Sequence, residues 1–172
     1  MKLGGNLDET LIGLGANLSG PQGEPRETLQ AAIRRLSEEG VTVSRLSRFW
    51  RTRPMPVSEQ PWFVNAVAVV DTSLDPVALL ALLHRIEHAF GRVRREVNEA
   101  RILDLDLLAY GRLVARGPDA PVLPHPRMAE RAFVLLPLRD VSPAWVHPVT
   151  GQGLESMIAN LSDRHAWPED KL

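Results

Sequence analysis

Short apolar runs closed by turn residues alternate along the chain with longer stretches whose apolar positions recur at helical spacing. Thr10-Leu-Ile-Gly-Leu-Gly15 is a compact apolar run ended by glycines, which predicts a buried first strand. Gly23-Glu-Pro-Arg26 then opens a helix with Pro25 in its first turn. Leu29, Ile33 and Leu36 form its stripe, and Gly40 stands just past its end. The alternating stretch from Val41 to Trp50 reads as one strand. The stretch from Trp62 to Val70 reads as the next, after a loop holding Pro54, Met55, Pro56 and Pro61. A second helix has clear punctuation: Asp75 as N-cap, Pro76 at the first helical position, Gly91 after the last turn, and Leu79, Leu83, Ile86 and Phe90 as core stripe. Ile102 to Leu108 has the period-two polarity of a strand. A Pro-rich loop follows, and then a short apolar helix from Ala132 to Leu138.

This β-α-β-β-α-β order predicts an α+β fold, a ferredoxin-like sandwich with an antiparallel-rich sheet, helices on one side and a C-terminal extension. Residues 1–9 and 162–172 read as tails around one domain over 10–161, the second tail being weakly ordered. The 172 residues fit a single domain, with 44% hydrophobic and 24% charged side chains as in ordinary globular proteins. The N-terminus lacks the apolar core of a secretory signal, and no apolar run is long enough to span a bilayer. A cytoplasmic protein is expected. The absence of Cys excludes disulfide scaffolds, thiolate metal sites and Cys nucleophiles. A net charge of −1 argues against a general nucleic-acid binder. The basic residues are nonetheless biased, with 18 Arg against 2 Lys, and five of the arginines fall between Arg85 and Arg101.

Leu103-Asp104-Leu105-Asp106-Leu107 carries the strongest local signal. Residues i and i+2 of a strand share a face, so both carboxylates project together while the leucines meet the core. Neighbouring carboxylates repel, and a cation between them relieves the repulsion. With only oxygen ligands on offer, Mg²⁺ is favoured, because it binds through one or two carboxylates plus substrate phosphates. The alternative is an exposed edge strand on which Asp-x-Asp falls by chance. Six of the ten residues from Arg92 to Arg101 are charged. That segment reads either as a solvated connection or as a mobile, arginine-rich loop that closes over phosphates, the equipment of phosphoryl transfer.

Other segments are weaker alone. His84, Glu87 and His88 share one helix face, a surface or a site too poor in further ligands to be a good zinc centre. Glu87 could reach a ribose or adenine. His125 and Arg131, on a Pro-rich loop and the helix it leads into, could meet phosphate or nucleobase, or merely cap and coat the surface. Thr52 to Met55, with Phe63 and Asn65, could bind a flat heterocycle by stacking and edge contacts, although Phe63 could equally be core. Gly13-Leu-Gly-Ala-Asn-Leu18 does not match G-x-G-x-x-G, and neither a P-loop nor a G-x-S-x-G elbow occurs.

Taken in order, several segments resemble the 6-hydroxymethyl-7,8-dihydropterin pyrophosphokinase family. They are Gly13 to Leu18, Phe49-Trp-Arg-Thr52 with Pro54, Gln60 to Ala66, Arg85-Ile-Glu87, Gly91-Arg-Val-Arg94, Arg101-Ile-Leu-Asp-Leu-Asp106, and Pro124-His125 with Arg131 and Phe133. The resemblance spans residues 10 to about 160. It implies Mg-dependent transfer of pyrophosphate from ATP to the hydroxymethyl group of the pterin, giving AMP. It implies two Mg²⁺ ions at Asp104 and Asp106, with Arg92 and Arg101 nearest the moving phosphates. His84, Glu87, Arg92, Arg94, Arg101, Leu107, His125 and Arg131 would bind ATP. Thr52, Pro54, Met55, Phe63, Asn65 and Phe133 would hold the pterin, the two Phe rings sandwiching it. A monomer, with no nucleic-acid or membrane partner, is the corresponding expectation. The chain departs from the usual pattern where Val97-Asn-Glu-Ala100 replaces a Trp and a Gly-Pro, where Pro126 replaces a Tyr, and where His84 replaces a Gln. Two rival readings are a ligand- or RNA-binding module of the same fold, which lacks the RNP-type aromatic signature here, and another Mg-dependent nucleotidyltransferase. Pterin-dependent release of AMP from ATP discriminates among all three.

Overall fold

The structure, a computed structural model, describes residues 8–54, 56–92 and 100–169. The elements run β1 (Thr10–Ala16), α1 (Pro25–Glu38), β2 (Thr42–Leu46), β3 (Trp50–Thr52), β4 (Phe63–Asp71), α2 (Pro76–Ala89), β5 (Asp104–Tyr110), α3 (Ala132–Val141), α4 (Leu154–Ala159) and β6 (Ala166–Pro168). The strands pair antiparallel in the order β5-β1-β4-β3-β6, with β2 also on β4. The α+β, ferredoxin-like architecture expected from element order is the one found.

Helix punctuation follows the sequence. Pro25 and Pro76 stand at the helix starts, Asp75 accepts a hydrogen bond from the Ala78 N–H at 2.8 Å, and Gly40 and Gly91 take φ of +83° and +95° just beyond the ends. The expected single strand over 41–50 is broken in two. A bulge lies between Val43 and Arg45, and the Ser47 hydroxyl accepts from the Val67 N–H at 2.9 Å, doing side-chain duty where a ladder carbonyl would stand.

Two further expectations are corrected. Helices do not lie on one side only. Residues of α1 and α2 pack on Ile12, Leu14, Ala66, Ala68, Leu105 and Leu107, whereas α3 and α4 pack on Leu11, Val67, Val69 and Leu108. The apolar stripe of α3 and α4 needed a surface to bury, and the second face of β1 and β4 supplies it. Nor are the chain ends simply tails. Glu9 is buried and meets Arg45 and the Ser142 hydroxyl, and Ala166–Pro168 pairs with β3 as the sheet's last strand.

Candidate active site

β1 contributes almost no side chain to the middle of its second face, and that emptiness makes the site. Gly15 pairs with Asn65 of β4 on one side and Asp104 of β5 on the other. A Cβ at Gly15 would stand 2.6 Å from Asn65 Oδ1, so glycine is required there. Over this floor, α3 begins at Ala132, and its first turn supplies Phe133. The resulting cavity of about 410 Å³ is lined by Thr52, Pro54, Phe63, Asn65 and Phe133 of the expected pterin set. Arg101, Asp104 and Arg131 line it as well. Asn65 is buried, and its amide donates to the Thr52 hydroxyl at 2.6 Å, which fixes the amide's orientation while its Oδ1 faces Gly15. The Arg131 guanidinium lies 5.3 Å from the centre of the Phe133 ring.

The β5 side is charged throughout. Arg92 contacts Asp104 at 2.5 Å and pairs with Glu87, and Arg101 reaches the other Asp104 oxygen at 2.7 Å. The positive φ of Gly91 turns the chain after α2 so that the Arg92 N–H donates to the Glu87 carbonyl at 3.1 Å, bringing the guanidinium back onto α2. Arg101 is anchored from the other direction. Its N–H donates to Asn17 Oδ1 at 2.7 Å, and its carbonyl accepts from the Asn17 and Leu18 N–H groups at 2.9 and 3.1 Å.

Glu87 corrects the reading of the α2 polar face. His84 and His88 are exposed, but Glu87 is only 2% exposed. Its carboxylate accepts the Leu105 N–H at 3.0 Å, satisfying a donor on the outer edge of β5. Burial pushes its pKa up, against the pull of the Leu105 N–H and of Arg92.

The two aspartates part company. Asp104 suffers burial, but Arg101 and Arg92 more than offset it and hold its pKa below the usual carboxylate range. Burial, together with the Asp104 charge, pushes Asp106 up to about 7. No hydrogen bond or ion pair to Asp106 occurs among the described residues. Oxygen-only donors on one strand face, one of them short of positive charge, fit Mg²⁺. Among the described residues no group of three or more His, Asp and Glu forms a cage, so further ligands would be water and phosphate. Arg92 Nε and Arg101 Nε are buried donors with no acceptor among the described residues, a deficit that an anionic ligand would meet.

Burial and the nearby Arg131 lower His125 to about 4, so the ring is neutral at pH 7. Its Nδ1 accepts the Arg127 N–H at 3.2 Å, which leaves Nε2–H as the free donor. Leu107 is 4% exposed with its side chain in the core, so β5 can offer a ligand only its backbone there. His84, Glu87, Arg92, Asp106, Leu107 and His125 do not line the 410 Å³ cavity. Met55, Arg94 and the loop stretch 93–99 expected to close over phosphates lie outside the described residues. Sequence reasoning missed Arg127, Glu130 and the C-terminal Ser162, Asp163 and His165, and gave Arg53 and Gln60 no role of their own within their segments, although all of these line the cavity. The one available signal for Ser162, Asp163 and His165 was the Ala-Trp-Pro run of β6 behind them.

The profile of the 7,8-dihydro-6-hydroxymethylpterin-pyrophosphokinase (HPPK) family matches residues 11–143. A 2-amino-4-hydroxy-6-hydroxymethyldihydropteridine pyrophosphokinase of Pseudomonas aeruginosa is 41% identical over 140 residues, covering 80% of this chain and 82% of its own length. The enzyme of that name from Synechocystis is 36% identical over 159 residues, covering 92% and 78%. The folic acid synthesis protein fol1 of Pneumocystis carinii is 40% identical over 91% of this chain, which spans only 20% of that longer protein. A crystallised HPPK-DHPS in complex with substrates shares the fold at a TM-score of 0.69 and 13% identity, with 93% of this chain matching 46% of that one.

Proposed function

This chain belongs to the HPPK family, and from that premise we propose that it transfers pyrophosphate from ATP to 6-hydroxymethyl-7,8-dihydropterin, yielding the pterin diphosphate and AMP, in folate biosynthesis. One observation carries the reading: the row Asn65–Gly15–Asp104 across three adjacent strands, with rings at one end and paired charges at the other. Neighbouring strands lie about 4.8 Å apart, so the row spans roughly 10 Å, the reach of a bicyclic heterocycle with one hydroxymethyl arm. A pterin whose edge meets Asn65 and Thr52 thus has its hydroxyl directed at the Asp104 end.

In the transfer, the hydroxymethyl oxygen bonds to the β-phosphorus of ATP, the bridge to the α-phosphate breaks with AMP leaving, and the hydroxyl proton is released. Asp104 and Asp106 would hold Mg²⁺, two ions in the expected arrangement, which supplies Lewis-acid neutralisation of the triphosphate. Arg92 and Arg101 exchange Asp104 for phosphate oxygens and stabilise charge on the transferring group. Arg131 and the His125 Nε2–H extend the donor set, while His84, Glu87 and the Leu107 backbone bound the adenosine side together with Arg94. Phe63 and Phe133 stack the pterin, with Pro54 and Met55 along its edge.

The same proposal includes a monomer in the cytoplasm acting on these two small molecules alone. The near-zero net charge speaks against nucleic acid. No helix among the described residues is long and apolar enough to cross a membrane. The reading is tested by incubating the protein with ATP, Mg²⁺ and the pterin. AMP should appear one for one with pterin diphosphate and only when both substrates are present. ADP, or AMP released without pterin, would overturn the reading.

A further inference from the structure

The β3–β6 end of the molecule carries two Trp and two Arg side chains, of which only Arg53 lines the cavity. Trp62 and Trp167, 37% and 46% exposed, stack with ring centres 5.4 Å apart and planes 15° from parallel. The Arg51 and Arg53 guanidiniums lie 5.5 and 5.8 Å from the Trp62 ring centre. Trp167 pairs with Arg51 across the β3–β6 ladder, and the Arg53 N–H donates to the His165 carbonyl at 3.3 Å. Since Thr52 faces the cavity, the alternating Arg51 and Trp167 face away from it. The stack therefore lies behind the pocket wall and touches no ligand.

Its chain neighbours do face the pocket. Trp62 immediately precedes Phe63, and the segment entering it brings Pro54, Pro56 and Gln60 to the cavity. On the other strand, Ser162, Asp163 and His165 line the cavity just before Trp167, with His165 paired to Asp163. Two indoles left partly in water would not persist in one geometry without a partner, and each is the other's partner.

We infer that Trp167 is a positioning residue for the pterin site, acting through Trp62 to latch the 53–62 segment and the C-terminal 162–168 segment into one wall. The inference rests on the pterin reading above for its ligand, but not for the latch itself. The latch joins two chain segments a hundred residues apart in sequence. Its loss frees the segment before Phe63 and leaves the ATP side untouched.

The experiment compares wild type with Trp167→Ala, Trp62→Ala, the double variant and Trp167→Phe. Amide exchange across residues 56–61 is followed in the ligand-free protein, and calorimetry measures pterin and Mg-ATP affinity. Thermal unfolding checks the fold. In Trp167→Ala, exchange in 56–61 should quicken and the pterin Kd should rise about two- to tenfold, the range one aromatic pair supports, with the ATP Kd unchanged. Trp62→Ala should match it, the double variant should be no worse than either single one, and Phe at 167 should restore most of the loss. Should Trp167→Ala fail to fold, Trp62→Ala, outside any strand, carries the same expectation. Wild-type exchange and pterin affinity in the alanine variants, or single effects that add in the double, would overturn the latch. The exchange arm needs no pterin, so it decides the latch independently; wild type that fails to bind pterin would overturn the functional reading instead.

Discussion

On the β5 side of the pocket Arg92, Arg101 and Asp104 are charged and hold one another, whereas across the floor Asn65, Phe63 and Phe133 are an amide and two rings, held by a hydrogen bond and by packing. Arg92 and Arg101 grip Asp104, and Glu87 grips both Arg92 and the Leu105 N–H. Across the floor, Asn65 leans on Thr52, and Phe63 and Phe133 line a slot backed by the Trp62–Trp167 stack. Under the proposed function, the contrast follows from what each ligand brings. A triphosphate arrives with charge, so its wall must balance its own ions beforehand and exchange partners on binding. A pterin arrives flat and neutral, so its wall needs shape and a few fixed donors and acceptors.

The sharpest way to break the comparison is at the carboxylates. Asp104→Asn and Asp106→Asn should each cut turnover by about a hundredfold or more while retaining the fold, because an amide oxygen coordinates weakly and brings no charge. Steady-state rates at saturating Mg²⁺ check this, and near wild-type activity would remove these residues from the metal site. Next in size, Arg101→Ala should slow turnover by roughly a hundredfold yet weaken ATP binding far less, its phosphate contact strengthening as charge moves. Comparable losses in kcat and in ATP affinity would instead make Arg101 a simple binding group. On the neutral wall, Asn65→Leu should weaken pterin binding by at least about tenfold, since ligand groups left unpaired cost roughly 1–3 kcal/mol each.

The smallest effect is on stability. A carboxyl raised from 3.8 to about 7 takes up a proton on folding, so the stability it contributes at low pH is lost as pH rises through 7. Asp106→Asn abolishes that loss. The ligand-free variant should therefore unfold at a higher temperature than wild type at pH 8 and at nearly the same temperature at pH 4. Mg²⁺ should narrow the gap at pH 8 by binding wild type alone. A variant less stable than wild type at pH 8 would mean that Asp106 is already balanced by a cation.

How much of this was legible in the sequence differs between the walls for the same reason. Asp104 and Asp106 share a face by local periodicity alone, and Asp75, Pro76 and Gly91 announce α2 and its exit within one stretch of chain. Glu87 misled because helical spacing set it beside exposed His84 and His88, and no local signal reports that the edge of β5 passes close enough to take its carboxylate. The aromatic wall is assembled from segments near 52, 63, 133 and 165, so no window of sequence contains it. The C-terminal stretch looked like a tail because three residues of strand are too short to show a period, and only pairing with β3 gives them one. The break between β2 and β3 was hidden likewise, since Ser47 looks like any polar position until its hydroxyl meets the Val67 N–H.

The division between the walls is tested most directly by crossed calorimetry. Asp106→Asn and Asn65→Leu are each titrated with a non-hydrolysable ATP analogue plus Mg²⁺ and, separately, with the pterin. The account expects a crossed pattern: Asp106→Asn loses most of its Mg-nucleotide affinity and keeps its pterin affinity, while Asn65→Leu loses pterin about tenfold and keeps the nucleotide. If either variant loses both ligands to the same extent, the two walls do not divide the substrates between them and the account is contradicted.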